Sequence, residues 1–137
     1  IMTNIYVHQD LHQMNLYPCA YSMTFNVTGN KLNAILNQRS NDILTANNWN
    51  VVQYAVLVHM IAQVSGLEAG ELVHVIADAH IYDRHIPLVK ELIKRQTYDA
   101  PVFRMNPDVK DFYEFTVDDF ELEDYMYGPQ IKIPVAV

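Results

Sequence analysis

Cysteine and positive charge are scarce in this chain, and each shortage excludes something. The one cysteine, Cys19, cannot form an internal disulfide or supply a thiolate cluster to a metal, so a reducing, cytoplasmic setting is expected. No stretch approaches the roughly twenty apolar residues that a membrane helix needs, and no charged segment followed by an apolar core marks a secretory leader. Lys and Arg number 9 against 16 Asp and Glu, for a net charge of −7. A surface of that sign repels phosphate backbones, which argues against general nucleic-acid binding. A small anionic ligand would need a local cationic pocket, and the arginines able to build one are Arg39, Arg84, Arg95 and Arg104. Repeats, low-complexity tracts and linkers are also lacking, so residues 1–137 are expected to belong to a single domain. The first residue is Ile1, inside the alternating run "IMTNIYV", where an initiator methionine is missing; further chain upstream is expected.

What is present suits a folded core, since half the residues are apolar. Residues 1–8 alternate as a strand does. In 21–27, Tyr21, Met23, Phe25 and Val27 share one face; in 32–36, Leu32, Ala34 and Leu36 do the same. "TGNK" between them carries the Gly-Asn pair of a tight turn, so the two runs predict a hairpin. An antiparallel return then brings Gln38, Arg39 and Ser40 to the height of Cys19. Residues 51–64, "VVQYAVLVHMIAQV", are apolar on nearly every side and predict a buried helix ended by Ser65 and Gly66. "ELVHVIA" (71–77) is expected as an interior strand, "IPLVKELIKR" (86–95) as a helix with Pro87 in its first turn, and 102–104 and 112–116 as short strands before the acidic segment "DDFELEDY". The fold class is α/β shading into α+β: two layers, a mixed sheet and one buried helix.

Several residues could carry chemistry. Cys19 is either a small buried hydrophobe or a nucleophile, and the second role needs a cation nearby to favour the thiolate. "QRSND" (38–42) reads as a solvated strand end or as an oxyanion cradle, with Arg39 forking onto phosphate oxygens and Gln38 and Ser40 donating to others. Asp42 is ill placed beside a phosphate and better suited to ring N–H groups of another ligand portion. Asn50 either caps the helix beginning at Val51 or offers its amide to a flat polar ring. In "DAHIYDRH" (78–85), His80 and Tyr82 fall on one strand face and suit a sugar hydroxyl. With Asp78 and His85 nearby, and with "HQDLH" (8–12), a metal can be entertained, but neither stretch has a zinc spacing such as H-E-x-x-H, and no metal is expected. His8, His12, His59 and His74 read as structural or surface residues.

Taken in order, Pro18-Cys19, "QRSND", the following asparagine, D-x-H-x-Y and the ending "PVAV" resemble the C-terminal half of the folate-dependent, cysteine-nucleophile thymidylate synthase family from Ile1 to Val137. The resemblance implies that family's two-layer fold and its reaction: dUMP becomes dTMP, with a one-carbon unit and then a hydride taken from the co-substrate 5,10-methylenetetrahydrofolate, leaving dihydrofolate. It implies that Cys19 adds to C6 of the pyrimidine. Arg39 and Ser40, with Gln38 beside them, are implied as phosphate ligands of dUMP. Asp42 would stand between pyrimidine and folate, Asn50 would read the uracil edge, and His80 and Tyr82 would contact the ribose 3′-hydroxyl. The tail at Ala136 and Val137 would close over the ligands on the folate side. Asparagine at 50 favours uracil; a related dCMP hydroxymethylase carries aspartate there.

The sequence departs from the family pattern at Ile76-Ala77, where Gly-Gly is common, at Ala20, where a histidine frequently follows the nucleophile, within "TANNWN" and at "YGP". The family's N-terminal half supplies a further phosphate-binding arginine, a catalytic glutamate, folate-lining tryptophans and an arginine pair that reaches the partner subunit of a homodimer. None of these can be assigned in 1–137, so the chain alone is expected to be inactive. The alternative is a truncated segment that keeps nucleotide or dimer contacts without catalysis; a third possibility, a metal-dependent hydrolase using His80 and His85, predicts stoichiometric metal.

Overall fold

The computed structural model describes residues 1–134, and the chain forms two compact units, Ile1–Ile81 and a second that begins at Tyr82. The first unit is built on strands β1 (Met2–Asn4), β2 (Ala20–Thr28), β3 (Lys31–Gln38) and β5 (Glu68–Ile76), in the order β1-β2-β3-β5. β1 and β2 are antiparallel, as are β2 and β3, whereas β5 runs parallel to β3, so the sheet is mixed. The turn at Gly29-Asn30 joins Thr28 to Lys31; Gly29 takes φ 62, a value for which a residue without Cβ is suited at the first position of a two-residue hairpin loop.

Helix α1 (Asn47–Val64) covers one face of this sheet. Met23, Phe25, Leu32, Ala34 and Leu36 of the sheet and Val58 and Ala62 of the helix form the core, joined by Tyr54, Leu57, Ile61 and Leu72. Leu36 is fully enclosed; burying a side chain of that size is worth about 1.5–3 kcal/mol. The helix ends because Gly66 adopts φ 67. Its N–H donates to Gln63 O (3.1 Å) and that of Leu67 to Ala62 O (2.8 Å), the paired bonds of a Schellman cap. Glycine suits position 70, where β5 presses on β3, since a Cβ there would lie 2.9 Å from the main-chain oxygen of Leu32.

Three expectations about this unit change. The helix starts four residues before Val51, at Asn47. It is covered on one side only, with Val52 57% exposed, so the all-round apolar pattern does not make it a fully buried helix in this chain. β5 is not interior among the described residues: it is an edge, and its β-branched Val73 and Val75 face outward.

A two-residue parallel pair, β4 (Asn41–Asp42) with β6 (Ala79–His80), continues beyond the ends of β3 and β5. In the second unit, a 3-10 turn (Asp83–His85) leads into helix α2 (Ile86–Leu92), with Pro87 in its first turn. β7 (Val102–Met105) pairs antiparallel with β8 (Phe120–Glu123). The strand expected at 112–116 is instead a 3-10 turn at Phe112–Glu114, and the acidic segment supplies β8. The reason is local: Thr116 and Asp119 form a reciprocal capping box, which resets the chain so that Phe120 and Leu122 alternate with Glu121 and Glu123. No helix among the described residues is long and apolar enough to cross a membrane.

Candidate active site

Cys19 sits immediately before β2, beside an irregularity in the β2–β3 register between Ala20 and Ser22; such bulges re-aim neighbouring side chains. The residue is partly exposed. The ladder extends one step past β2, because Arg39 N–H donates to Cys19 O at 2.9 Å. The Arg39 side chain turns back along the same loop, Nε donating to Pro18 O (3.1 Å) and Nη2 to Tyr17 O (2.7 Å). Tyr6 Oη also donates to Pro18 O, at 3.0 Å. The approach to Cys19 is thus gripped from β3 on one side and from the segment after β1 on the other. The guanidinium brings positive charge to this loop, and its remaining N–H groups are able to meet an anion.

The inner face of the sheet changes character toward the C-terminal ends of its two parallel strands. Leu32, Ala34 and Leu36 of β3 give way to Gln38, only 2% exposed; Leu72 of β5 gives way to His74. Gln38 Nε2 donates to Ser40 O (2.8 Å) and to Asn50 Oδ1 (2.9 Å), and Gln38 Oε1 meets His74 Nε2 at 2.8 Å. Ser40 itself is partly exposed, just before β4. Because α1 begins at Asn47, Asn50 lies in its first turn, with N–H bonded to Ala46 O. Ala46 occupies the cap position and provides no side-chain bond, so capping does not account for Asn50.

Asp42 and His80 are paired across β4 and β6. Asp42 Oδ1 accepts from the main chain of Leu44 (3.0 Å) and Thr45 (3.3 Å), and Oδ2 from Thr45 Oγ1 (2.6 Å). The carboxylate therefore shapes the turn into α1, a use the sequence reading did not foresee. His80 Nδ1 lies 3.4 Å from Asp78 Oδ2. Asn41, the other residue of β4, is buried; its Nδ2 donates to Asn47 Oδ1 at 3.2 Å, while its own Oδ1 has no hydrogen-bond partner.

The first unit accordingly gathers Cys19, Gln38, Arg39, Ser40, Asp42, Asn50 and His80 around the ends of β3 and β5. Tyr82 is not on the strand with His80, because β6 ends at His80. It opens the second unit, 44% exposed, with its ring edge-on to His85 at 5.7 Å. His85 is fully enclosed, and its Nε2 meets Pro134 O at 2.8 Å. Among the described residues no group of three or more His, Cys, Asp or Glu is placed to hold a metal ion. Ala136 and Val137 lie outside the described residues.

His74 is the member that sequence reasoning missed. The signal was available: His74 keeps step with Leu72 and Ile76, the residues of β5 that face the helix layer. Burial lowers its imidazole below the usual histidine value, so the neutral ring, with one N–H, prevails at neutral pH.

Comparison with known proteins shows the family. The thymidylate synthase family model matches residues 1–137. The chain is 46% identical over 136 residues to the thymidylate synthase of Bacillus licheniformis, covering 99% of this chain and 49% of that protein. It is 45% identical to the thymidylate synthase of Bacillus phage phi3T, with the same coverage. A solved structure titled thermostable thymidylate synthase A from Bacillus subtilis superimposes with a TM-score of 0.94 at 43% identity, over 99% of this chain and 49% of that one. The chain spans about half the length of the relatives it matches.

Proposed function

Since the chain belongs to the thymidylate synthase family, we propose that it is the C-terminal part of one catalytic domain that methylates dUMP to dTMP with 5,10-methylenetetrahydrofolate. In this reading the Cys19 thiolate adds to pyrimidine C6, which makes C5 a carbon nucleophile toward the folate's one-carbon unit; C5 then gives up its proton, and sulfur leaves as a hydride from the folate completes the methyl group and leaves dihydrofolate. Arg39 and Ser40 hold the phosphate with Gln38 beside them, and Asn50 reads the uracil edge. Asp42 lies between pyrimidine and folate, His80 and Tyr82 meet the ribose hydroxyl, and Ala136 and Val137 close the folate side. The remaining half of the domain comes from chain N-terminal to Ile1. The enzyme works in the cytoplasm as a homodimer; the outward Ile35, Val73 and Val75, 41–48% exposed on neighbouring strands, supply an apolar patch for a second copy. The observation that carries the reading is the joining of Cys19 and Arg39 on adjacent backbone, with the Arg39 side chain strapped across the residues that precede the thiol.

The test joins this chain to the N-terminal half of the Bacillus licheniformis relative. The joined polypeptide is expected to form dTMP and, with 5-fluoro-dUMP and the folate, a covalent ternary adduct on Cys19 detectable by mass spectrometry. Cys19→Ala is expected to abolish both. A joined polypeptide that binds dUMP but forms neither product nor adduct would replace this reading with that of a non-catalytic nucleotide-binding and dimerisation segment.

A further inference from the structure

We infer that His74 is a positioning residue that fixes the amide of Gln38 and, through it, the amide of Asn50, and so sets the choice of a uracil over a cytosine edge. The inference rests on the reading of Asn50 as the residue that meets the pyrimidine.

The orientation follows from one group with no ambiguity. Ser40 O is a main-chain carbonyl and can only accept, so the Gln38 atom 2.8 Å from it must be Nε2. That leaves Gln38 Oε1 toward His74, and a carbonyl oxygen requires a donor, so His74 carries its proton on Nε2. The same Gln38 Nε2 reaches Asn50 at 2.9 Å, and only Oδ1 of Asn50 can accept it. The Asn50 Nδ2 group is therefore turned away from Gln38. A planar amide held this way offers a donor on one side and an acceptor lone pair on the other in a fixed order. Uracil presents O4 as an acceptor next to N3–H as a donor; cytosine presents the reverse, an amino donor next to an N3 acceptor. One order of the amide fits one base, and the flipped order fits the other.

His74 is needed because Gln38 is 2% exposed and its Oε1 has no water to turn to. Without the imidazole N–H this oxygen is buried unpaired, which favours any rotation of the Gln38 amide that finds it a donor. Asn50 then loses the bond that orders its own amide. Leu36 and His74 are register partners in β3 and β5, so the sheet itself delivers the imidazole to this position.

The test uses the joined polypeptide described above. His74→Phe keeps a ring and removes the donor; His74→Trp restores a ring N–H that can only donate. The preference for dUMP over dCMP, read as a ratio of dissociation constants, is expected to fall about tenfold or more in His74→Phe and to recover in His74→Trp. Nitrogen-15 NMR of the unaltered polypeptide is expected to show the His74 proton on Nε2. A folded His74→Phe variant with undiminished preference, or a proton resident on Nδ1, overturns the role of His74. An unaltered polypeptide with no preference for dUMP overturns the reading of the site itself. If His74→Phe does not fold, the tautomer and the His74→Trp ratio decide the matter, a lost preference in His74→Trp counting against the proposal.

Discussion

Arg39 has two demands on one guanidinium. Its bonds to Tyr17 O and Pro18 O hold the loop that carries Cys19, and the proposed reaction asks the same group to hold a phosphate. The two are compatible because the bonds to the loop use Nε–H and one Nη2–H, leaving the edge with the remaining Nη hydrogens for a forked contact. Lysine has the charge but not the planar fork, so it can serve one demand at a time. Arg39→Lys in the joined polypeptide is expected to raise the KM for dUMP by about tenfold, the worth of one charged hydrogen bond, and to lower kcat as well because residues 17–19 lose their strap. A change confined to KM would show that the strap has no catalytic consequence. The nearness of Arg39 to Cys19 was legible in the sequence because a two-residue turn sets the register of a hairpin. The pairing itself was not, since that register continued unbroken would set Cys19 opposite Ser40, and the irregularity between Ala20 and Ser22 moves it to Arg39. Nor was the bond from His74 to Gln38 legible. It depends on β5 joining β3 in parallel, and a parallel neighbour is not announced by any turn between them.

Among the elements, the β7–β8 hairpin is held by charge and hydrogen bonding on an exposed surface. Arg104 of β7 pairs with Glu123 of β8, and Asp119 receives bonds from Thr116 N–H, Asn106 Nδ2 and Thr116 Oγ1. These hold the Asp119 carboxyl below its ordinary 3.8, and the Arg104 hydrogen bond holds Glu123 below its ordinary 4.5. A carboxyl depressed in the folded state contributes stability that is fully present above its unfolded value and is lost as pH falls through the folded one. The protection of amides at 116–123, measured against their intrinsic exchange rates, is therefore expected to fall below about pH 4, earlier than at β2 and β3, whose contacts are apolar. Equal protection of both regions down to pH 2 would contradict this. The same hairpin shows why the sequence misplaced a strand: "FYEF" has strand-like composition, but Asp111 accepts from Tyr113 N–H and turns the chain there. Helix α1 fails in the opposite sense, since its apolar surface predicts a cover on all sides and the chain provides one.

On the scale of the whole molecule, the described residues hold the loop of the proposed nucleophile and only part of the proposed reaction site. The sulfur, the strap and the amide relay lie within Ile1–Ile81. The reaction proposed here also needs a carboxylate to manage protons on the pyrimidine and a second cation on the phosphate, and the site described contains neither: Asp42 is committed to the turn at 43–45, and Arg104 faces Glu123. In a chain of net charge −7, Arg39 is the arginine that the site described brings to an anionic nucleotide, and one exposed charged contact gives weak binding. The proposed addition of Cys19 to C6 would be reversible, so without tight binding the adduct would not accumulate. The chain by itself, mixed with 5-fluoro-dUMP and methylenetetrahydrofolate, is expected to stay at its unmodified mass, and the joined polypeptide to gain the mass of both ligands. Adduct on Cys19 in the isolated chain at a comparable rate would mean that the hairpin and its arginine suffice for the addition step, and that the other half of the domain acts only afterwards.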